Sequence, residues 1–516
     1  MKNEKILTIK KFAENKNCKI FNFKQISKHL EDAKLNKLIN LSSKKSKEYI
    51  EQQRFNEAEI LITQALKVKQ DFRLRQYLVI VKMYLKKYEE AALLCRQNIK
   101  KHKFSEDYNN LSLIYRAKHD YKTALKYGKK AVDLKPNSAA ISANYAITAA
   151  ACNDMDLAIE YASKSIEIDP SNPMFYANKG SMYAQINKME EAKKNYESAM
   201  RFNPNEPQVY IDYFYCMANM KNYTKAWPFY EMRYERIKEL KENIIKLKRP
   251  ILRLKKPFYE ENICVIPEQG LGDSLMALRF MKQFQDRAPN SYFYSSEQLY
   301  PFAKAMGIRV KSKFDRKSSH VVGIMSLPFH LGLGKIPEPD SPILHNKTKS
   351  DKLRIGLCWA GSPFHPLDSQ RSTYLKWYSK FLSDKNMQVF SFMKDRRARI
   401  YANNPVEVDF SEGFADYKIT DLSDKMMNAL STAKLFDNID VLVTVDTFVA
   451  HLAGSCGVPT YIIIGDNPDW RWGRQGETTE WYPTVRLVRK SKNQNMKTVI
   501  NQIYKKIKDG ELPPSF

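Results

Sequence analysis

Residues 121–136, YKTALKYGKKAVDLKP, are answered 34 positions later by 155–170, MDLAIEYASKSIEIDP, and again by 189–204, MEEAKKNYESAMRFNP. Ala124, Ala158 and Ala192 hold one place in this frame, and Pro136, Pro170 and Pro204 close it. Ala226 extends the series downstream, and Ala58 and Ala91 extend it upstream at a spacing of 33. A second set precedes it: Ser112, Ala146 and Gly180, each followed three residues later by Tyr115, Ala149 and Tyr183. Small residues at a fixed period let two helices approach closely. Large apolar residues beside them fill the groove, and proline ends the second helix because it cannot continue one. One such pair cannot bury its apolar face alone, so the pairs stack into a superhelix.

Alanines, prolines and period together resemble tetratricopeptide repeats, about six of them, from roughly Gln52 to Tyr234. The expected layout is a helical, basic cap over 1–50 and a repeat array over 51–240. The resemblance implies a concave surface that binds a peptide or protein; an array that only spaces or dimerises is the alternative.

Composition bounds the rest. The 516 residues allow several domains, and 43% hydrophobic with 12% aromatic content excludes a largely disordered chain. No apolar run approaches the ~20 residues that cross a bilayer, and the N-terminus lacks the apolar core of a signal peptide. The expected location is the cytoplasm. Seven dispersed cysteines without a Cys-x-x-Cys pair fit neither a disulfide framework nor a zinc site. Eight histidines show no ligand spacing, so no metal is expected. The net charge of +28 comes from dispersed lysines with no accompanying RNA-binding aromatic motif, so specific nucleic-acid binding is not expected.

After the basic stretch ending at Pro257 the pattern changes. Short apolar runs alternate with helical stretches: NICVIP, SYFYSS, IRVKS and HVVGIM, then, after a Pro- and Ser-containing connector, LRIGLCWA, MQVFSFM, VEVDF, DVLVTVD and TYIIIG. Such alternation predicts parallel sheets covered by helices, in two lobes over 258–340 and 352–490, with a C-terminal helix and tail over 491–516. Ligands in such sheets bind beyond the carboxyl ends of the strands. The residues there are Glu268, Gln269, Gly270, Leu271, Gly272, Asp273 and Ser274; Trp359 to Pro363, with Arg371 soon after; Asp446 and Thr447; and a loop containing Trp470, Arg471 and Trp472. Gly270 and Gly272 make a turn, but Leu275 stands where a dinucleotide-binding turn would place its third glycine, and Asp273 sits where a phosphate would.

Four ordered stretches, EQGLGDS, GLCWAGSPFHPLDSQRS, VTVDTFVAHLAGSCGVP and PDWRW with WYP, resemble the heptosyltransferase-like glycosyltransferases of GT-B fold, in the bacterial branch with N-terminal tetratricopeptide repeats. With the repeats and AWPFYEMRY at their end, the likeness covers roughly residues 50–490. It implies an α plus α/β chain: an α-solenoid followed by two Rossmann-like lobes, the first for the acceptor, the second for a nucleotide-sugar donor. Asp273 inherits the role of the base that takes the acceptor's proton, with helix capping as the bland alternative; Glu268 is the rival base or its partner. Gly270, Gly272 and Ser274 form the acceptor-side turn.

On the donor side, Arg371 offers two parallel hydrogen bonds to phosphate. Gly361 and Ser362 form a turn where bulk would block a ligand. Thr447 opens a helix whose free N–H groups attract anions. Asp446 suits a sugar hydroxyl, backbone amides or an N-cap. His451 lies on the same helix face, reaching the donor or packing on the sheet. Trp470 and Arg471 suit ring stacking and phosphate pairing, or locking of their loop. Before the last strand, Asn428 to Ala433 depart from the acidic run of relatives.

The leading expectation is an inverting, metal-independent glycosyltransferase, its nucleotide-sugar a substrate and no cofactor required, acting on a protein held by the repeats, as in flagellin and O-linked N-acetylglucosamine transferases. The alternatives are a lipid or polysaccharide-precursor acceptor, and a non-catalytic adaptor with a degenerate α/β half.

Overall fold

The structure is a computed structural model. It describes residues 32–237, 240, 242, 246–251, 261–295, 297–340, 350–362, 368–394, 419–465, 468–491 and 494–515. The expected strand VEVDF and most of the expected 1–50 cap lie outside them. Two compact units divide the chain at Asn205–Glu206.

The first unit is a run of antiparallel helices: α1 Asp32–Glu51, α2 Phe55–Val68, α3 Phe72–Tyr84, α4 Tyr88–Lys101, α5 Ser105–Ala117, α6 Tyr121–Leu134, α7 Ala139–Ala151, α8 Met155–Ile168, α9 Pro173–Gln185 and α10 Met189–Phe202. Ala58, Ala91, Ala124, Ala158 and Ala192 are wholly buried on the even-numbered helices. Gly180 shows why the facing position is small: an added Cβ would lie 2.9 Å from the Tyr196 ring. Pro136, Pro170 and Pro204 each stand two residues beyond a helix end.

The turns inside the pairs repeat as closely as the helices do. Gln53, Lys86, His119, Asn153 and Asn187 all take left-handed backbone, with φ near +60°. After each, the next N–H reaches back to the helix: Arg54 to Tyr49 O, Lys87 to Lys82 O, Asp120 to Tyr115 O, Asp154 to Ala149 O and Lys188 to Tyr183 O, all within 2.8–3.0 Å. This closure satisfies carbonyls that the helix end would leave unpaired. Asp120 and Asp154 then cap the following helix from the other side.

The second unit begins with one more helix pair, α11 Pro207–Asn219 and α12 Tyr223–Tyr230, then a short turn α13, Arg233–Arg236. Ala226 is buried there, and Lys221 repeats the left-handed turn. Two parallel sheets follow. The first contains β1 Ile263–Ile266, β2 Tyr292–Tyr294, β3 Val310–Lys311 and β4 His320–Gly323, in the order β3-β2-β1-β4. The second contains β5 Leu353–Cys358, β6 Met387–Ser391, β7 Ile419–Asp421, β8 Val441–Val445, β9 Thr460–Ile464 and β10 Val485–Arg489, in the order β10-β9-β8-β5-β6-β7. Neither β7 nor β10 is among the runs that the sequence reading picks out; β10 grows from the tail of the long loop after β9.

Counted from β5, the second sheet has the 3-2-1-4-5-6 order of doubly wound folds, and the first has its 3-2-1-4 part. In both, the order reverses beside the first strand, which opens a crevice at the strands' carboxyl ends. The crevices lie between β1 and β4 and between β5 and β8. Strands β8 and β9 are buried along their whole length, as two-sided helical cover requires. Among the described residues no helix is long and apolar enough to cross a membrane.

Candidate functional site

The loops after β1, β5, β8 and β9 converge. Helix Leu271–Ala277 follows the glycine turn of the first sheet, and helix Phe448–Ser455 follows β8 of the second. The two helices meet at Gly272. A Cβ there would lie 2.8 Å from the His451 ring and 3.5 Å from the Phe448 backbone. The glycine therefore permits contact between two helix starts, a closer fit than the sequence reading assigns to it.

Asp273 stands at this junction. Its Oδ2 accepts from the Gly270 N–H at 2.9 Å, which caps the helix. Its other oxygen pairs with the Arg471 guanidinium. Arg471 is buried, which lowers its basicity, and it also donates to Asp469 Oδ1 at 2.6 Å. Glu268 is placed elsewhere. Its carboxylate accepts from Arg233 Nε at 2.8 Å, Arg233 Nη2 at 2.7 Å and Met325 N at 2.8 Å, so it faces the protein interior rather than Asp273. Ser274 is also internal: its hydroxyl donates to Glu268 O at 3.1 Å.

Across the junction, Arg371 lies against Gly361, where an added Cβ would be 2.6 Å from its Nη2. Its Nη1 donates to Asp446 O at 2.9 Å, bridging the loops on either side of the β5–β8 crevice. Its buried Nε has no hydrogen-bond partner among the described residues, with Asp368 Oδ1 at 3.7 Å. A buried guanidinium N–H without a hydrogen bond is a donor available to an anion. Ser362 is exposed. Thr447 spends its hydroxyl on the Ala450 N–H at 3.3 Å, the ordinary work of an N-cap.

His451 is buried, stacked on Trp472 at 5.1 Å and bonded through Nδ1 to the Tyr482 hydroxyl at 2.9 Å. Burial pushes its pKa down to about 4, although Asp446 Oδ1, 3.8 Å from Nε2, favours the charged form. Trp470 is packed on all sides, with Phe214 at 5.2 Å, Trp481 at 5.5 Å and Trp227 at 6.0 Å. It anchors the loop to α11 and α12, while Arg471 beside it reaches the site. The stretch at Asn428 is a helix start closed by a reciprocal Asn428–Ser431 cap.

Three contributors escape the sequence reading. Arg233 and Tyr230 hold the turn before Asp273 from the helix side. Arg279, nearly buried, donates to Trp481 O at 2.7 Å and Pro337 O at 3.0 Å and lies over the Tyr482 ring at 4.9 Å. Only AWPFYEMRY, quoted as part of a resemblance, touches the first two. Among the described residues no group of three His, Cys, Asp or Glu side chains could hold a metal.

The first unit carries tetratricopeptide repeats. Residues 108–138, 139–172 and 175–206 match that family. Among solved structures, the chain is similar to a thermophilic tetratricopeptide protein of Thermus thermophilus, at 17% identity over 35% of this chain and 98% of that one, with a TM-score of 0.33. MamA of Desulfovibrio magneticus gives 16% identity over 33% and 96%, with a TM-score of 0.28. PilF of Pseudomonas aeruginosa gives 13% over 41% and 99%, with a TM-score of 0.34. A search of curated proteins found no match.

Proposed function

We propose that the chain is a glycosyltransferase that moves a sugar from a nucleotide-sugar to a hydroxyl of an acceptor, a protein held by the repeats. One observation carries the reading: the helix starts after β1 and β8 meet at Gly272, with Asp273 on one side and Arg371 on the other. Two doubly wound sheets apposed at their ligand-binding ends suit two substrates meeting at one place.

In this reading the donor's phosphates lie at the Phe448 helix start, against Arg371. Charge that develops on the leaving phosphate is offset by that guanidinium and the helix N–H groups. An arriving phosphate competes with Asp273 for Arg471 and frees the carboxylate. Asp273 then takes the proton of the acceptor hydroxyl as its oxygen bonds to the anomeric carbon and the bond to phosphate breaks. His451, neutral above pH 4, supports Trp472 and Tyr482 rather than supplying charge.

The test is thermal stability against UDP-, GDP-, ADP-, dTDP- and CMP-linked sugars. At 100 times its Kd a ligand stabilises the fold by about 2.7 kcal/mol. One nucleotide class should shift the melt, and Arg371→Ala should abolish the shift. Asp273→Asn retains an oxygen to cap Gly270 N, so it should keep the donor shift yet lower transfer by roughly 100-fold or more. A folded protein that answers none of these donors is instead an adaptor, in which Asp273 serves only as cap and ion-pair partner.

A further inference from the structure

The crevice between β1 and β4 is where a doubly wound sheet takes a ligand. Here the chain fills it with its own side chain. Glu268, just after β1, points into it and bonds the backbone just after β4 at Met325. Arg233, from α13, enters from the helix side and meets Glu268 with two parallel hydrogen bonds. Gly323 makes the room: a Cβ there would lie 2.4 Å from Glu268 Oε1 and 2.9 Å from the Tyr234 hydroxyl. Arg233 is 1% exposed, sandwiched between the Tyr230 and Tyr234 rings at 4.5 Å each, and donates further to Ser326 Oγ at 2.7 Å and Tyr230 O at 3.1 Å.

Burying such a pair is not in itself stabilising, because desolvation offsets the attraction; what it fixes is geometry. The geometry fixed is that of the glycine turn. Next to Glu268, Gln269 takes φ +60°, a conformation that costs a side-chain-bearing residue about 1 kcal/mol or more. Its side-chain amide is bonded to the Tyr230 hydroxyl. Four residues later comes Asp273. Two successive residues ahead of the helix start are thus held by two residues three apart in sequence, Tyr230 at the end of α12 and Arg233 at the start of α13.

We infer that Tyr230 and Arg233 are positioning residues for Asp273: Tyr230 at the end of α12 and Arg233 at the start of α13 hold Glu268 and Gln269, so that the Glu268–Arg233 pair plugs the first crevice, closes it to a second nucleotide, and sets the turn that aims the carboxylate. The part that concerns transfer rests on the glycosyltransferase reading; the clamp itself does not.

The experiment uses the full chain with Tyr230→Phe and Arg233→Lys. Tyr230→Phe removes one hydroxyl and keeps the ring, so it leaves the fold intact. Amide hydrogen exchange of residues 270–274 should accelerate roughly tenfold, the value of one lost hydrogen bond, while that of 460–464 stays unchanged. In transfer assays kcat should fall by about tenfold or more, with KM for the donor and its thermal shift within twofold. Donor titration should give one nucleotide per chain. Unchanged exchange at 270–274 in both variants overturns the clamp, as does a kcat loss matched by equal loss of donor binding. A wild-type chain that transfers no sugar overturns the proposed function instead, and the exchange data still decide the clamp.

Discussion

At the scale of single residues, His451 gives the sharpest test of the site's interior. Its neighbours are the Tyr482 hydroxyl, Trp472 and Asp446, with Arg279 and Arg371 adding positive charge that opposes protonation. Folding lowers its pKa from 6.5 to about 4, so the unfolded chain binds the extra proton first. The neutral ring's contribution is complete above pH 6.5 and is lost as pH falls toward 4. Between pH 7 and pH 5 this residue alone should remove about 2 kcal/mol. All six tryptophans lie beyond residue 205, so their fluorescence reports the second unit alone. The urea midpoint followed by tryptophan fluorescence should drop further between these pH values in the wild type than in His451→Gln. Parallel curves would mean that the ring is charged or exposed. The position of His451 one turn after Thr447 is legible in sequence; its partners are not, because Trp472 and Tyr482 come from a loop whose path no periodicity reveals. The same holds for Asp273. Gly-Asp at a helix start is readable, whereas its pairing with Arg471 needs two lobes folded against each other.

At the scale of elements, the repeat frame reads well because one small residue per helix is a strong periodic signal. The alanines chosen from sequence are all fully buried. The turns do not read, because the left-handed residue is Gln, Lys, His or Asn, and glycine, the usual marker, is absent from them. That makes the turns improvable. Lys86 is exposed, with φ +58°, and its side chain has no bond that the turn needs. Lys86→Gly should stabilise the array by about 0.5–1 kcal/mol, while Lys86→Val, β-branched at a left-handed position, should destabilise it by ~1 kcal/mol or more. Urea unfolding followed by circular dichroism at 222 nm distinguishes them. Equal midpoints for the two variants would show that the turn relaxes out of the left-handed region. Strands give a similar lesson: β8 and β9 are mostly apolar runs and are readable, whereas β10, Val-Arg-Leu-Val-Arg, interrupts its apolar residues with two arginines inside a loop-like context and is not.

At the scale of the molecule, sequence periodicity and three-dimensional packing divide the chain differently. By repeat frame, α11 and α12 belong with the preceding helix pairs, since Ala226 and Lys221 keep the period. By contacts they belong with the sheets. Phe214 and Trp227 pack on Trp470, the Tyr223 hydroxyl donates to Glu480 Oε2 at 2.9 Å, and Arg233 satisfies Glu268. A chain cut to residues 206–516 should therefore fold with the Trp470 fluorescence environment intact and retain whatever nucleotide shift the full chain shows. A chain cut to 258–516, the boundary that the sequence change suggests, leaves Glu268 buried without its cation, at a cost of about 3–5 kcal/mol. It also bares the Trp470 face that Phe214 and Trp227 cover. That cost is a large share of the roughly 5–15 kcal/mol that holds an ordinary domain folded. The shorter chain should be recovered aggregated or unfolded, with red-shifted tryptophan emission. If it folds with native emission, the helix pair is dispensable packing, and the clamp on the glycine turn loses its structural basis. If 206–516 fails while longer chains fold, the two units stabilise each other and the pair is not the self-sufficient start of the second unit.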